Sequence, residues 1–394
     1  MAAYLCSPAV IHGEHAVETN QIAEEVRGRH PHAPWVPRID GIAASTGIDT
    51  RGWMLPLETA VAPGSGSGLR APGVGPAREA LARDGFTEHD VDRAIAALEA
   101  IPAPQSVQER TAPAWEAVQS YGERAARGAL QIAGLDVTDV DCLITSNSTT
   151  PALPGLDVAL TNKLSLRDDV MLLPATQWAC IAGTRSLALA ADLVAADPDR
   201  VVLVVIAEAL STTYQPADDT LESLIVRLLF ADTAVAAVVT GRQRPESVLR
   251  LDTAWHHTLP GTQDFHRLET RADGNHFVMD RRGPRAVQDT VTAMWEWLRI
   301  RHQDDPGSWH PDLLLAHPGG TRVLEYMEQT MPDEWPSGLL DYSRDSYTSG
   351  NRGGAAVFDI LRRAHDAGQQ PGSRAVLYAA APGLTATAVE GEWL

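Results

Sequence analysis

The chain is poor in cysteine and in basic charge, and both shortages exclude classes of protein. Its 394 residues contain three cysteines, which are too few for the disulfide framework of a small secreted protein. Asp and Glu number 51 against 32 Lys and Arg, so the formal charge at neutral pH is −19. A charge of that sign argues against non-specific binding to nucleic acid and against docking on an anionic membrane.

The sequence also lacks the features of a targeted or membrane-inserted chain. The first ten residues contain neither a basic region nor a sustained apolar stretch, so we expect no signal peptide. No uninterrupted run reaches the roughly 18 apolar residues that a membrane helix needs. A cytoplasmic protein with reduced thiols is therefore expected.

Metal-binding and phosphate-binding patterns are weak. The histidines near the amino terminus have no accompanying cluster of cysteines or carboxylates, and neither does the pair His256-His257, which we expect in a loop. We therefore predict no metal site. The Gly-rich segments 63–68 and 71–76 are not followed by Gly-Lys-Ser/Thr, so they are interpreted as a surface loop.

What the sequence does contain is a repeated alternation of aliphatic strands and helices. Hydrophobic residues make up 44% of a chain that is long enough for two domains or one large duplicated domain. Continuous aliphatic runs separated by helical periods predict a mostly parallel sheet covered on both faces. The predicted strands are 141–146, 170–176, 200–207, 233–240, 313–316 and 375–379. The predicted helices are 88–100, 113–133, 156–164, 181–196, 284–301 and 353–367.

Cys180 is the most informative single residue. It lies between the strand predicted at 170–176, which we expect to be buried, and the helix predicted at 181–196. The free N–H groups and the dipole at a helix start favour an anion, so we expect a lowered thiol pKa and a nucleophilic thiolate. A small buried core residue is the alternative interpretation, because free cysteines are among the most buried residues.

Two more candidates lie at strand–helix junctions in the second part of the chain. His317 directly follows the strand 313–316, and Asn351 lies in a Gly-rich turn before the helix 353–367. Taken singly, His317 is also explained as an ordinary loop histidine and Asn351 as a helix cap. Together with Cys180 they offer a nucleophile, a base and an oxyanion donor. Papain-like proteases use the same residue types, but their cysteine motif and a secretory signal are both missing here.

Four short motifs, in order along the chain, resemble the type III polyketide synthases, the chalcone-synthase-like branch of the thiolase superfamily. The motifs are Ala179-Cys-Ile-Ala-Gly183, Phe230-Ala-Asp232, His317-Pro-Gly-Gly320 and Gly350-Asn351. The resemblance implies an α/β, thiolase-like fold in which two duplicated halves, 1–246 and 247–394, form a layered αβαβα architecture. It also implies a homodimer that uses acyl-CoA and malonyl-CoA as substrates and needs neither a further cofactor nor a metal.

The resemblance assigns the chemistry to Cys180, His317 and Asn351. Cys180 would carry the acyl starter and the growing chain, and His317 would keep it in a thiolate–imidazolium pair. His317 and Asn351 would stabilise the enolate that forms when malonyl-CoA loses CO2. Release by cyclisation would give a pyrone, a resorcinol or a related small aromatic product.

Substrate-binding positions follow from the same resemblance. Phe230 and Phe277 match two gatekeepers between the CoA tunnel and the cavity, although plain core packing also explains them. Leu153 matches a residue that reaches into the cavity of the dimer partner. The cavity wall and the CoA site would further include Ser148, Thr213, Gly353 and Arg38.

Departures from the family pattern leave alternatives open. Ala179 stands where the family has a glycine before the nucleophile, Trp178 precedes it, and Ala379-Ala-Ala381 replaces a Gly-Phe-Gly scaffold. Few basic residues remain to bind CoA phosphates, so a carrier protein is an alternative donor of the starter. A ketoacyl synthase that performs a single condensation and a non-catalytic homologue are the two alternative functions.

Overall fold

The computed structural model describes residues 2–64, 74–99, 105–271, 274–303, 309–333 and 335–394. Within them the strands are β1 Ala3–Cys6, β2 Ala9–His12, β3 His15–Glu18, β4 Thr50–Trp53, β5 Cys142–Ser146, β6 Met171–Pro174, β7 Val201–Glu208, β8 Thr233–Thr240, β9 Ser247–Thr258, β10 His266–Arg271, β11 Gly274–Met279, β12 Leu313–Ala316, β13 Arg374–Ala381 and β14 Thr385–Trp393. The α-helices are α1 Thr19–Arg29, α2 Ile39–Ser45, α3 Leu57–Val61, α4 Val74–Arg83, α5 Glu88–Glu99, α6 Val107–Ile132, α7 Leu156–Leu164, α8 Ala182–Ala196, α9 Leu221–Leu229, α10 Gly283–Arg301, α11 Thr321–Gln329, α12 Asp341–Tyr347 and α13 Ala356–Asp366.

Ten of these strands form one mixed sheet. Its order is β12-β13-β14-β9-β1-β8-β7-β5-β6, and β2 also pairs with β8. The aliphatic runs explain the interior strands, because β8 is buried along its whole length and β7 at every residue except the first. The pairs β5–β6, β5–β7 and β12–β13 are parallel, as expected where helices connect strands of one sheet. The other six pairs in this sheet are antiparallel, so the prediction of a mostly parallel sheet is wrong. Aliphatic runs show that strands are buried, but they do not show the direction in which neighbouring strands pair.

Helices lie in three layers around these strands. The central layer is α8 with α13, which pack against each other and against strands from both parts of the sheet. The outer layers are α6 and α7 over β5, β7 and β8, and α10 and α11 over β12, β13 and β14. The predicted α/β class and αβαβα layering are confirmed. The division into 1–246 and 247–394 falls between β8 and β9 and stays a prediction, because β9 pairs with β1 and continues the sheet.

The central helix is unusually apolar. The window Ala179–Ala196 is long and apolar enough to cross a membrane by length and composition, although Arg185 and Asp192 interrupt its apolar run. Half of that window is buried inside the protein, where Leu187 and Val194 belong to the central core. A helix that is covered on several sides needs such a composition to bury its surface.

Three predicted elements differ from the structure. The strand expected to be buried at 170–176 is β6 at the edge of the sheet, where Met171 is 43% exposed. Helix α6 begins before Pro113, because Ser106 and Glu109 form a capping box and the proline lies inside the helix. The pair His256-His257 lies in β9, paired with β14, and not in a loop. Residue 100 and most of the predicted loop at 63–68 and 71–76 lie outside the described residues.

Candidate active site

Cys180 occupies the predicted junction between a strand and a helix. It lies in the 3-10 turn Ala179–Ile181, which follows β6 and directly precedes α8. Ala179 has a left-handed φ of 45°, which glycine adopts readily and alanine adopts at a cost. The Cys180 side chain is partly exposed and lines a cavity.

His317 is anchored by the neighbouring strand. It follows β12, and its backbone N–H donates to the carbonyl of Tyr378 in β13 at 2.8 Å. The residue is only 5% exposed. Its Nδ1 has no hydrogen-bond partner among the described residues, so the imidazole is placed by packing and by its backbone.

Asn351 is fixed by both its backbone and its side chain. Its N–H donates to the carbonyl of Leu229, the last residue of α9, at 2.8 Å. Oδ1 accepts from the N–H of Gly353 at 2.8 Å, and Nδ2 donates to the carbonyl of Gly319 at 3.0 Å. An amide NH2 has two protons, so the side chain is held while one proton remains for a ligand.

A cavity of about 130 Å³ brings the three side chains together. Cys180, His317 and Asn351 all line it, and so do the predicted gatekeepers Phe230 and Phe277. Most of the other lining residues are aliphatic or Met. A nucleophile, an imidazole and an amide donor around a largely apolar space suit acyl transfer and the stabilisation of a developing oxyanion.

The two phenylalanines form an edge-to-face pair. Their ring centroids are 5.5 Å apart and their planes meet at 86°. Phe230 also forms a parallel β-bridge with Asn351, so the aromatic pair and the amide are fixed relative to each other. Phe230 is 5% exposed, and it therefore contributes to the core as well as to the cavity wall.

Burial dominates the electrostatics of the site. It raises the pKa of the Cys180 thiol to about 12, with a second contribution from the carboxylate of Glu208. It lowers the pKa of His317 to about 4. The expectation that the helix start lowers the pKa of Cys180 is therefore wrong in this structure, because desolvation of the thiolate outweighs the helix dipole. For each group taken by itself, burial therefore favours the neutral form.

Ser148 belongs to a second polar group close to the nucleophile. Its N–H and its hydroxyl both donate to the carboxylate of Glu208, at 3.1 and 3.0 Å. Glu208 ends β7 and is fully buried, and burial raises its pKa to about 7 although these hydrogen bonds lower it. Sequence reasoning missed Glu208. The available signal was a carboxylate directly after the buried strand predicted at 200–207.

The other predicted substrate-binding residues lie outside the cavity lining, and their roles stay predictions. Thr213 is buried, and its hydroxyl donates to the carbonyl of Leu210 at 2.7 Å. Gly353 has a left-handed φ of 53°, and a β-carbon there would press on Leu210. Leu153 is 99% exposed in the loop before α7, and Arg38 is exposed on the surface.

The departures from the family pattern fall in two places. Ala380 and Ala381, at the end of β13, line the cavity. Trp178 packs against the central core, with the guanidinium of Arg185 5.9 Å from its ring centroid. The alanines therefore shape the space available to a substrate, whereas Trp178 supports the turn that carries Cys180.

His266 is a cavity residue that sequence reasoning missed. It begins β10 and pairs with Met279 of β11, the strand that carries Phe277. The available signal was the dipeptide Asp273-Gly274, which favours a hairpin turn and so predicts that the flanking strands pair.

No group of three or more His, Cys, Asp or Glu side chains in the described ranges is placed to hold a metal ion. The amino-terminal histidines have other neighbours. His12 lies 3.4 Å from the carboxylate of Asp359, and Nε2 of His30 lies 2.7 Å from the carbonyl oxygen of Pro216.

Known proteins resemble this chain over its full length. The family model for the N-terminal domain of chalcone and stilbene synthases matches residues 97–243. The solved structure of germicidin synthase from Streptomyces coelicolor, a type III polyketide synthase, is 86% identical, with 100% of each chain covered and a TM-score of 0.91. The 1,3,6,8-tetrahydroxynaphthalene synthase of Streptomyces coelicolor is 29% identical over 99% of this chain and 92% of its own. Phloroglucinol synthase of Pseudomonas fluorescens is 26% identical over 99% of both chains.

Proposed function

Because the chain belongs to the type III polyketide synthases, we propose that its product is short, a triketide released as a pyrone. As a member of this family it is an acyltransferase that condenses an acyl thioester starter with malonyl-CoA units by decarboxylative Claisen chemistry. A single-condensation ketoacyl synthase and a non-catalytic homologue are not favoured, because the relatives matched from end to end are polyketide synthases.

The size of the cavity supports a short product. Its volume of about 130 Å³ lies below the roughly 300–1,000 Å³ that is usual for ligand pockets. A starter extended twice is the shortest chain that closes a six-membered ring, and it does so through oxygen. Closure of a six-membered ring through a carbon that is flanked by two carbonyl groups needs a third extension and a longer chain. The 86% identity to germicidin synthase supports a product of the same class as that enzyme makes.

The proposed steps assign one task to each member of the triad. Cys180 loses its thiol proton to His317 and attacks the starter thioester, and the departing thiol takes that proton. Malonyl-CoA then loses CO2, and the thioester enolate is stabilised by hydrogen bonds from His317 and Asn351. Each such donor is typically worth about 10²–10³-fold in rate.

Chain growth and release complete the balance of the reaction. The enolate carbon forms the new C–C bond at the Cys180 thioester, which frees the thiolate, and the β-ketoacyl-CoA reloads Cys180 for the second round. The enol oxygen of the starter-derived ketone finally attacks the thioester carbonyl. Ring closure releases the pyrone, so the sum is one starter and two malonyl-CoA giving one pyrone, two CO2 and three thiols.

The proposal extends to assembly and to the donor of the starter. A homodimer is supported by the exposure of Leu153, whose apolar side chain is 99% accessible in the single chain. The starter arrives on CoA, near the exposed Arg38, and a carrier protein is the alternative donor. No cofactor beyond the CoA thioesters is needed, and the proposed location is cytoplasmic.

One incubation tests this function. The purified protein is mixed with malonyl-CoA and a series of acyl-CoA starters, and both protein and products are analysed by mass spectrometry. We expect an acyl adduct on Cys180 and products with the mass of a pyrone from two extensions. Carrier-bound acyl groups, supplied in parallel, distinguish the two donors.

The Cys180→Ala variant is the control, and it should remain a folded dimer that forms neither adduct nor product. Product formed by Cys180→Ala would contradict the mechanism. Products from one extension, or from three or more, would contradict the proposed triketide.

A further inference from the structure

The cavity contains one polar side chain to which the triad mechanism gives no task. Among the described residues that line it, His266 is polar, as are Cys180, His317 and Asn351, whereas the rest are apolar or glycine. His266 begins β10 and lies opposite Met279, itself a lining residue. It therefore belongs to the wall that faces the growing chain.

Nδ1 of His266 is buried and has no hydrogen-bond partner among the described residues. Buried polar atoms in proteins are almost always paired with protein or with an ordered ligand or water. Nδ1 of His317 is the other unpaired imidazole nitrogen of this cavity. Both histidines of the cavity wall therefore carry a nitrogen that a bound ligand or water would pair.

The position of the His266 ring is built into the fold. The ring stacks on Phe277, with centroids 6.2 Å apart and planes at 20°. The other edge of the imidazole ring faces Gly283, the first residue of α10. A β-carbon at Gly283 would overlap Nε2 of His266, so only glycine leaves room for the ring. The imidazole is therefore clamped between a gatekeeper ring and a backbone that has no side chain.

The surroundings keep this imidazole neutral. Burial lowers the pKa of His266, and the nearby carboxylate of Asp280 offsets that effect only in part. Asp280 is itself paired with Arg282 at 2.7 Å. A neutral imidazole has one N–H donor and one acceptor nitrogen, which together match the ketone and enol forms of a 1,3-dicarbonyl chain.

We propose that His266 is a specificity-determining residue that hydrogen-bonds a ketone or enol oxygen of the growing polyketide and holds the chain against Phe277 for ring closure. The proposal rests on the polyketide function and adds a second polar contact, away from the thioester. In an apolar cavity such a contact favours one folded conformation of the chain over the others.

Two substitutions separate hydrogen bonding from packing. His266→Phe keeps an aromatic ring against Phe277 but has no polar nitrogen, whereas His266→Gln restores a donor and an acceptor. Arg267→Ala is the matched control, because Arg267 is the next residue of the same strand, is exposed and points to the opposite face. Each variant is assayed for acylation of Cys180 by the starter and for the ratio of cyclised product to acids released before ring closure.

We expect His266→Phe to acylate Cys180 at the wild-type rate while that ratio falls about tenfold, the loss of one buried hydrogen bond. His266→Gln should recover most of the ratio, and Arg267→Ala should not change it. A wild-type ratio in His266→Phe would overturn the proposal. Equal loss of acylation in both His266 variants would show a structural role and would overturn it as well.

A measurement on the wild-type protein covers the case in which both variants misfold. A crystal structure with a bound 4-hydroxy-2-pyrone should place a His266 nitrogen within hydrogen-bond distance of a ring oxygen. A pyrone bound in the cavity with every oxygen turned away from His266 would contradict the proposal. If the wild type makes a product other than a triketide, the proposed product fails, but the comparison of ratios still tests His266.

Discussion

The two polar neighbourhoods of Cys180 are built in opposite ways. At Glu208, the carboxylate accepts hydrogen bonds from the N–H and the hydroxyl of Ser148. In the cavity, Nδ1 of His317 and Nδ1 of His266 are buried without a partner in the described residues. Paired groups stabilise the fold, whereas unpaired ones carry a cost that a ligand relieves. The difference indicates that substrate chemistry belongs to the cavity and that the Glu208 neighbourhood tunes the nucleophile from outside it.

The largest expected effect tests the cavity directly. Asn351→Ala removes the amide proton that remains after Nδ2 donates to Gly319. We expect the release of CO2 from malonyl-CoA to fall about 10²–10³-fold, because the enolate loses a donor. Radiolabelled CO2 measures this step.

Acylation of Cys180 is the internal control for Asn351→Ala. It requires no enolate, so it should proceed at close to the wild-type rate. Equal losses in acylation and in CO2 release would show that Asn351 acts only by holding the turn around Gly353.

The pH dependence of Cys180 alkylation tests whether His317 takes the thiol proton. Burial raises the pKa of its thiol to about 12, so a lone thiolate is rare at neutral pH. Transfer of the thiol proton to His317 gives a thiolate–imidazolium pair without net charge. The attraction between the two charges in the apolar cavity stabilises this pair beyond what the two separate pKa values give. Its population does not depend on pH between the two pKa values of the pair. In His317→Gln that route is lost. Alkylation by iodoacetamide should then rise about tenfold per pH unit between pH 7 and 9, and much less steeply in the wild type.

The same slope in wild type and in His317→Gln would contradict the ion pair. The His317→Gln variant must be inactive and must keep the wild-type circular dichroism spectrum, because the slope is informative only if the cavity is intact.

A smaller effect is expected at Glu208. Glu208→Gln keeps an acceptor for Ser148 but removes the charge that helps to raise the pKa of Cys180. Alkylation of Cys180 should therefore be faster, by less than about tenfold, which corresponds to less than one pKa unit. Because the pKa of Glu208 is about 7, the wild type is most strongly slowed above that pH, and the difference should grow as pH rises. Identical rates from pH 6 to 9 would show that the carboxylate does not act on the thiol.

The sequence predicted those parts of the site that depend on short stretches of chain. Cys180, His317 and Asn351 each follow or precede a strongly apolar element, so their positions at element ends could be predicted from periodicity alone. His266 could not be placed in this way, because its contact with the cavity depends on pairing between β10 and β11 and on the space left by Gly283.

The protonation state of Cys180 could not be predicted from the sequence either. The helix start was visible and favours a thiolate, but the desolvation of Cys180 comes from layers that are distant along the chain. The exposed edge at β6 has a similar origin, because an apolar run does not show whether another strand covers its outer side.

The smallest expected effect concerns the turn between these neighbourhoods. Ala179 has a φ of 45°, and a left-handed conformation costs a residue with a β-carbon roughly 1–2 kcal/mol. Ala179→Gly removes that cost but adds chain entropy to the unfolded state, so we expect a net gain of less than about 1 kcal/mol in the free energy of unfolding. Ala191→Gly, inside α8, is the matched control and should lose about 1 kcal/mol. Opposite signs in urea unfolding would locate strain at the nucleophile turn. A loss of stability in both variants would show that Ala179 is unstrained, and the alanine would then be an equal substitute for the family's glycine.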